Sequence, residues 1–255
     1  MTGLSARAEA LRALHHGVRP LVLPTAWDVA SAHLVAEAGF HAVATSSGAI
    51  ADALGYEDDD SMPPDEAFGA VARIAGAVDL PVTADLEAGY GLAPGAFAAR
   101  LLDAGAVGCN LEDSDHHGDG ALVDASEQAA RIAAIKEAAR EAGTDIVLNA
   151  RIDVFIQHPN DPPNTHLDEA IRRARAYIAA GADCVYPILL GVRDSIAEFV
   201  DAVEHHPVNI YLSSKRSSIA ELAELGVARI SMGSGLMHIA YRAAAAELER
   251  LRASY

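Results

Sequence analysis

Short apolar runs recur along the chain, and four of them are entered through the same apolar–glycine–apolar step. Ala38-Gly39-Phe40 precedes Ala42-Val43-Ala44-Thr45, and Ala104-Gly105-Ala106 precedes Val107-Gly108-Cys109-Asn110-Leu111. Ala180-Gly181-Ala182 precedes Cys184-Val185-Tyr186-Pro187-Ile188, and Leu225-Gly226-Val227 precedes Ala228-Arg229-Ile230-Ser231-Met232. Each step reads as the end of an amphipathic helix, a glycine able to take the left-handed cap, and a buried strand. Four further runs, Pro20 to Pro24, Pro81 to Leu86, Ile146 to Ile152 and Val208 to Leu212, lack that entry but have the same character. None alternates strictly between apolar and polar, as expected for strands covered on both faces. Between the runs, the periodicity predicts helices over 27–38, 64–78, 94–104, 126–142, 167–180, 193–204, 216–225 and 234–252. Pro63-Pro64-Asp65-Glu66 sets proline and acids in a first turn, and Thr165-His166-Leu167-Asp168-Glu169 offers a cap followed by two acids. Arg172, Arg173 and Arg175 read as a solvated helix face.

Eight strand–helix units in 255 residues leave about 32 residues for each, the size of a single (β/α)8 TIM barrel spanning 1–255. A doubly wound open sheet is disfavoured, because the first strand runs into Thr25-Ala26-Trp27-Asp28 and not into a Gly-x-Gly-x-x-Gly turn. The stretch from His158 to Thr165, rich in Pro and Asn, is the most irregular loop. Charge narrows the choice of partners. With 19 Lys and Arg against 36 Asp and Glu the net charge is −17, which disfavours nucleic acid and anionic membranes. Two cysteines cannot build a disulfide framework, no apolar run nears the ~18 residues of a membrane span, and Met1 to Ala13 lacks a signal-peptide core. A cytoplasmic location is therefore expected.

In a barrel, chemistry collects where the strands end. The third strand ends in Asp85-Leu86-Glu87-Ala88-Gly89-Tyr90-Gly91, the fourth in Asn110-Leu111-Glu112-Asp113, and the fifth in Asn149-Ala150-Arg151-Ile152-Asp153. Alternation places Asp85 and Glu87 on one side, toward the axis, and Asn149 with Arg151 likewise. Clustered carboxylates raise one another's pKa unless a cation joins them, and hard oxygen ligands favour Mg²⁺, or Mn²⁺, over zinc. Arg151 would then face a carboxylate or phosphate through its planar fork. Asp59 and Asp60 read as a solvated acidic run, and Asp153 as a residue making structural hydrogen bonds. Cys109 and Cys184 fall within strands as small buried hydrophobes. Trp27 and Tyr90 each either line the pocket or pack as structure. His15-His16 and His205-His206 lie in polar, surface-like segments.

Taken together these residues resemble the isocitrate lyase/phosphoenolpyruvate mutase superfamily. The resemblance runs from Pro24-Thr25-Ala26-Trp27-Asp28, with Ser31-Ala32, to Ser231-Met232-Gly233. Its most specific pieces are Asp85-x-Glu87-x-Gly89-Tyr90-Gly91, Gly108-x-Asn110-x-Glu112-Asp113 and Asn149-Ala150-Arg151-x-Asp153. It implies a homo-oligomeric barrel, often a tetramer, that exchanges its last helix, here Ser234 to Arg252, with a neighbour. It implies Mg²⁺ held directly or through water by Asp58, Asp85, Glu87 and Glu112. It also implies a small 2-oxo or 2-hydroxy carboxylate, or a phosphonate relative, bound by Mg²⁺, Arg151 and the N–H groups of Ser46, Ser47 and Gly48. The chemistry would run through an enolate.

One stretch departs from the family. The isocitrate and methylisocitrate lyases carry a Lys-Lys/Arg-Cys-Gly-His loop after the fourth strand, whose cysteine supplies a proton, and the phosphonate mutases carry a Lys and an Asn there. This chain has Ser114-Asp115-His116-His117-Gly118-Asp119-Gly120, without Cys, Lys or Asn. His116 and His117 could supply the missing acid or base, the alternative being exposed residues on a flexible Gly/Asp loop; zinc is disfavoured there for want of further spaced ligands. The expected function is a Mg²⁺-dependent carbon–carbon lyase, oxaloacetate decarboxylase-like. The alternatives are P–C bond chemistry, as mutase or phosphonopyruvate hydrolase, and a 2-oxo acid binding protein without turnover. Tyr186 and Ser213-Ser214 are expected to help set substrate choice.

Overall fold

The computed structural model describes residues 2–118, 120–162, 164–212 and 217–255. Nine short strands are formed: β1 (Leu21–Leu23), β2 (Thr25–Ala26), β3 (Val43–Thr45), β4 (Val82–Asp85), β5 (Gly108–Leu111), β6 (Val147–Ile152), β7 (Cys184–Pro187), β8 (Asn209–Tyr211) and β9 (Arg229–Ser231). β1 and β2 are one barrel strand divided at Pro24, which has no N–H to give a ladder. β1 pairs with β9 (Leu21 beside Arg229), and β2 pairs with β3 (Thr25 beside Ala44). The parallel sheets β2-β3-β4-β5-β6-β7 and β1-β9-β8 therefore meet at Pro24, and a parallel bridge from Val185 to Val208 joins their other edges. The ring is the expected eight-stranded barrel. The glycines of the repeated entry step all take positive φ: Gly39 (83°), Gly105 (81°), Gly181 (97°) and Gly226 (78°).

The helices are α1 (Thr2–Leu14), α2 (Val29–Glu37), α3 (Ser47–Leu54), α4 (Pro64–Ala77), α5 (Pro94–Asp103), α6 (Ala125–Glu141), α7 (Val154–Gln157), α8 (Leu167–Ala179), α9 (Arg193–Ala202), α10 (Ile219–Glu224) and α11 (Gly235–Ala253). Eight match the expected outer layer to within a few residues. α1, α3 and α7 were not expected. α3 and α7 are short turns inserted at strand ends, directly beside the site.

α1 closes the floor of the barrel. Ala8 and Leu11 pack with Leu21, Leu23, Ala42, Ala44, Val107 and Val147, the inward side chains at the strand starts. Gly108 makes room for this plug, because a Cβ there would stand 2.8 Å from Leu11 Cδ2 and 2.9 Å from the Val147 carbonyl. Arg12 secures the helix by donating to Asp183 (2.9 Å) and to the Asp145 carbonyl (2.8 Å). Leu11→Ala is expected to cost about 3 kcal/mol, the transfer term plus a cavity that the strand ring cannot collapse into, read from a urea melt. A loss under ~1 kcal/mol would mean that the floor is filled some other way.

Two residues expected at the surface are buried. His15 is buried, its Nδ1 2.8 Å from the Leu11 carbonyl, and burial with the nearby Arg229 charge pulls it down to about 4. Arg173 does not join the solvated face of α8. It is 6% exposed and donates to Asp113 (3.0 Å), the Val123 carbonyl (2.8 Å) and the Tyr177 hydroxyl (3.1 Å). Arg172 and Arg175 are exposed as expected.

Candidate active site

The site begins where β3 turns into α3. Ser46 caps α3, its hydroxyl accepting from Ala49 N at 3.3 Å. The first turn of α3 carries N–H groups without helical partners, a setting that favours negative charge. Asp85, at the end of β4, uses it: Oδ2 accepts from Ser47 N (3.3 Å) and Ser47 Oγ (3.2 Å). Its other oxygen accepts from Asn110 Nδ2 at 2.9 Å. Gly48 is required by close approach, since a Cβ there would meet Asp58 Oδ2 at 2.8 Å and Ser234 Oγ at 3.1 Å. Beneath Asp85, Asn149 Nδ2 (2.8 Å) and Arg229 Nη2 (3.0 Å) both donate to Asn110 Oδ1. Asn149 is fully buried in this layer, so it holds Asn110 instead of lining the pocket.

Glu87 follows β4 with a positive φ of 48°, which turns its side chain inward. It accepts from Asp60 N, and its Oε1 is buried without a hydrogen-bond partner among the described residues. Asp60 corrects the expected solvated run. Asp59 is exposed, but Asp60 is 3% exposed and accepts from Tyr90 N at 2.8 Å, with His117 Nε2 2.9 Å away. Glu112 is flanked by two cationic groups: Arg151 Nη1 lies 2.5 Å from Oε2, and His116 Nε2 contacts Oε1. Asp153 fixes the Arg151 fork by accepting from Nε (2.6 Å) and Nη2 (3.1 Å). Asp153 is itself fixed by Ser114 Oγ (2.7 Å) and by its own N–H donating to Asp113 (2.8 Å). Tyr177 (2.6 Å) and Arg173 then hold Asp113 from below. The structural role expected of Asp153 is thus the aiming of Arg151.

A cavity of about 330 Å³ opens above this set, lined by Asp58, Glu112, Ser114, His116, Arg151 and Gln157 among others. Four expected site residues therefore share one chamber: Asp58, Glu112, His116 and Arg151. Ser47, Asp85 and Glu87 are tied into the layer beside it. Other expectations separate from it. His117 turns to Asp60, with its side chain 59% exposed. Trp27 packs edge-on against Tyr241 of α11 (ring centroids 6.3 Å apart), and Tyr90 is buried against Phe68 (6.3 Å). Ser46 meets Ser234 at 3.2 Å. Tyr186 is buried, and Ser213-Ser214 lie outside the described residues. Ser114 and Gln157 were missed as wall residues. Ser114 was readable in principle, because it stands two positions after Glu112; Gln157 depends on α7. Cys109 and Cys184 are buried free thiols, both pushed up to about 12 by burial.

The electrostatics expose a shortage of positive charge. Burial, then Asp58, pushes Glu87 up to about 8. Burial pushes Glu112 up to about 7 against the pull of Arg151 and His116. Asp58, at the open side, is also raised, by burial of its carboxyl first and by Asp85 second. The hydrogen bond to Glu112 raises His116 to about 9, so it is an imidazolium at neutral pH. A divalent cation fits such a set: Glu87 Oε1 lacks a partner, the donors are hard oxygens, and the carboxylates resist ionisation without it. Among the described residues, no three of these acids bring carboxylate oxygens within 4.8 Å of one another. A small cation would thus take one or two carboxylates directly and the rest through water, as Mg²⁺ prefers.

Comparison with known proteins agrees with this architecture. The family model described as phosphoenolpyruvate phosphomutase matches residues 11–252. An uncharacterised protein of Mycobacterium tuberculosis is 35% identical over 222 residues, 87% of this chain and 80% of that one. The 2-methylisocitrate lyase of Bacillus subtilis is 31% identical over 191 residues, 72% of this chain and 60% of that lyase. A crystal structure from Burkholderia cenocepacia J2315 superposes with a TM-score of 0.89 at 41% identity, over 97% of this chain and 99% of the other. Oxaloacetate acetylhydrolase bound to its product oxalate superposes with a TM-score of 0.85 at 25% identity, over 98% and 87%. Among the described residues no helix is long and apolar enough to cross a membrane. The chain belongs to the phosphoenolpyruvate phosphomutase family, within the isocitrate lyase/phosphoenolpyruvate mutase superfamily of lyases and mutases.

Proposed function

We propose that this chain is a divalent-cation-dependent lyase that breaks a carbon–carbon bond beside a small 2-oxo or 2-hydroxy carboxylate, with oxaloacetate decarboxylation as the simplest case. The observation that carries the reading is Arg151, fixed by Asp153 at the wall of a small chamber that it shares with Glu112, His116 and Asp58. Two of the five guanidinium N–H groups are donated to Asp153 and Nη1 pairs in charge with Glu112, which leaves N–H groups for a substrate carboxylate. In this reading the first turn of α3 would offer Gly48 N–H to an oxygen on which negative charge develops. Enzymes of this superfamily generally use a divalent metal. Asp58, Asp85, Glu87 and Glu112 would hold it, and when bound it supplies Lewis-acid stabilisation of that charge. His116 stands ready as the acid that returns a proton to carbon once the bond has broken, in place of the family's cysteine. The chamber volume suits a substrate of four to six carbons better than a larger one.

A product screen over small 2-oxo acids, with and without Mg²⁺, tests the proposal. Pyruvate from oxaloacetate only when the cation is present is expected, and no metal-dependent turnover of any such acid would defeat it. Phosphate released from phosphonopyruvate would select P–C chemistry, which the family model's own description favours and the loop without Lys or Asn does not. Oxalate bound tightly with no product would select a binding protein. His116→Gln should lower kcat about 10²-fold while oxalate affinity stays within threefold. Equal losses in both would make His116 a binding group.

The reading extends to assembly. α11 buries only Met237 and leaves Ile239, Tyr241, Leu248 and Leu251 between 43% and 66% exposed, a surface suited to the exchange of this helix with a second copy. Light scattering after size exclusion is expected to give a dimer or tetramer, and a monomer at micromolar concentration would remove this part of the proposal.

A further inference from the structure

Outside the barrel mouth, the loop from α7 to α8 gathers three groups that bind metals well. His158 follows the last residue of α7, His166 precedes the first of α8, and Asp161 lies between them. Asp161 Oδ2 is 2.7 Å from His166 Nε2 and 3.7 Å from His158 Nδ1. The three ligand atoms all fall within 4.8 Å of one another, and no other trio of His, Cys, Asp or Glu does so among the described residues. The two imidazole rings stack at 3.9 Å between centroids and 14° between planes.

We propose that His158, Asp161 and His166 form a second cation site, for a borderline divalent metal of the Zn²⁺ class. The argument rests on ligand chemistry and spacing. In a tetrahedral zinc site, bonds of ~2.0–2.1 Å put neighbouring ligand atoms about 3.3 Å apart, between the two distances observed here. Two imidazoles with one carboxylate select such a metal over Mg²⁺, so this site and the acid set differ in hardness as well as place. To aim both nitrogens at one ion the stacked rings must fan apart. The histidine side chains, 44% and 23% exposed, have room to do so.

The surroundings suit an open site. Between the two helix ends, Asp161 N donates to the His158 carbonyl (3.3 Å) and Thr165 N to the Pro162 carbonyl (2.9 Å). All three ligands border a cavity of about 700 Å³, whose wall includes Phe155, Leu190 and Tyr211. Three protein ligands leave a fourth position for water or a small ligand entering from that cavity. The metal would also tie down α7, which carries Gln157 on the wall of the 330 Å³ chamber.

The test uses the full chain without an affinity tag, saturated with Mg²⁺ so that the acid set is occupied. Calorimetric titration with Zn²⁺ should show one equivalent bound per chain, and Co²⁺ should give the visible bands of a four-coordinate ion at the same stoichiometry. His158→Ala or His166→Ala should each weaken Zn²⁺ about 10²-fold, and Asp161→Asn about tenfold, with the melting temperature in EDTA unchanged because all three side chains reach solvent. The double variant Asp85→Asn, His116→Gln should keep the equivalent. The proposal is overturned if Zn²⁺ binds no more tightly than to the His158→Ala, His166→Ala variant. It is equally overturned if the tight equivalent disappears in the Asp85→Asn, His116→Gln variant, which would place the ion at the barrel mouth.

Discussion

Arg151→Lys is expected to lower kcat/KM for the accepted 2-oxo acid about 10³-fold while the protein stays folded. Lysine keeps the charge beside Glu112 but loses the planar fork. It cannot hold both Asp153 oxygens and also present two parallel N–H groups to a substrate carboxylate. The loss should appear in both kcat and KM, because the contact positions the substrate and persists as charge develops. Arg151→Ala should go further. Glu112 and Asp153 are 3% and 1% exposed as side chains, and stripping a buried pair of its cation costs about 3–5 kcal/mol in stability. Steady-state kinetics beside a thermal melt separate the two effects. Activity of the lysine variant within tenfold of the parent would show that Arg151 serves the fold and not the substrate.

The second large effect is a metal-dependent reversal of how stability changes with pH. In the metal-free chain, Glu87 and Glu112 sit at about 8 and 7, above the ordinary 4.5, and His116 at about 9, above 6.5. A group raised by folding contributes stability that is whole below its unfolded value and is lost as pH rises through its folded value. All three therefore act in one direction between pH 6.5 and 8.5, and stability in EDTA should fall across that window by roughly 2 kcal/mol, or about 5 °C in melting temperature. His15, pulled down to about 4, opposes this only weakly there, because above its ordinary 6.5 it becomes neutral in both states. A cation binds the ionised carboxylates, so the stabilisation by Mg²⁺ should grow as pH rises. Glu87→Gln, which mimics the protonated acid, should flatten the EDTA profile and shrink the Mg²⁺ effect. A Mg²⁺ shift that is the same at every pH would refute the assignment of these acids to a cation.

Much of this was readable because it depends on local rules. The entry step of apolar residue, glycine and apolar run reports a helix end and a strand start, and at Gly39, Gly105, Gly181 and Gly226 the backbone adopts the conformation that makes glycine useful there. Counting eight units then required only that each strand find parallel neighbours. The acids of the third and fourth strand ends and Arg151 of the fifth were legible for a similar reason. Alternation assigns Asp85 and Arg151 to the axis, Glu87 and Glu112 follow just after strand ends, and the barrel brings successive strand ends together.

What escaped depends on contacts distant in sequence. Leu4, Ala8 and Leu11 keep helical spacing, but nothing local says that such a stripe plugs a ring to which four later strands turn their apolar side chains. Asp60 looks like its exposed neighbour Asp59 until Glu87 and Tyr90 of one loop and His117 of another close on it. Arg173 looks like Arg172 until Asp113, sixty positions earlier, claims it. Asn149, Tyr90 and Trp27 lie at strand ends as the pocket residues do, yet packing turns them toward Asn110, Phe68 and Tyr241.

The sequence by itself determined the barrel, the ring of strand-end acids and the place of Arg151, because strand alternation and helix periodicity are properties of neighbours along the chain. Only the tertiary structure decided which of those groups share a chamber and which are buried far enough to resist ionisation. Those outcomes depend on distance and desolvation, and both are settled only when segments far apart in the chain exclude water between them.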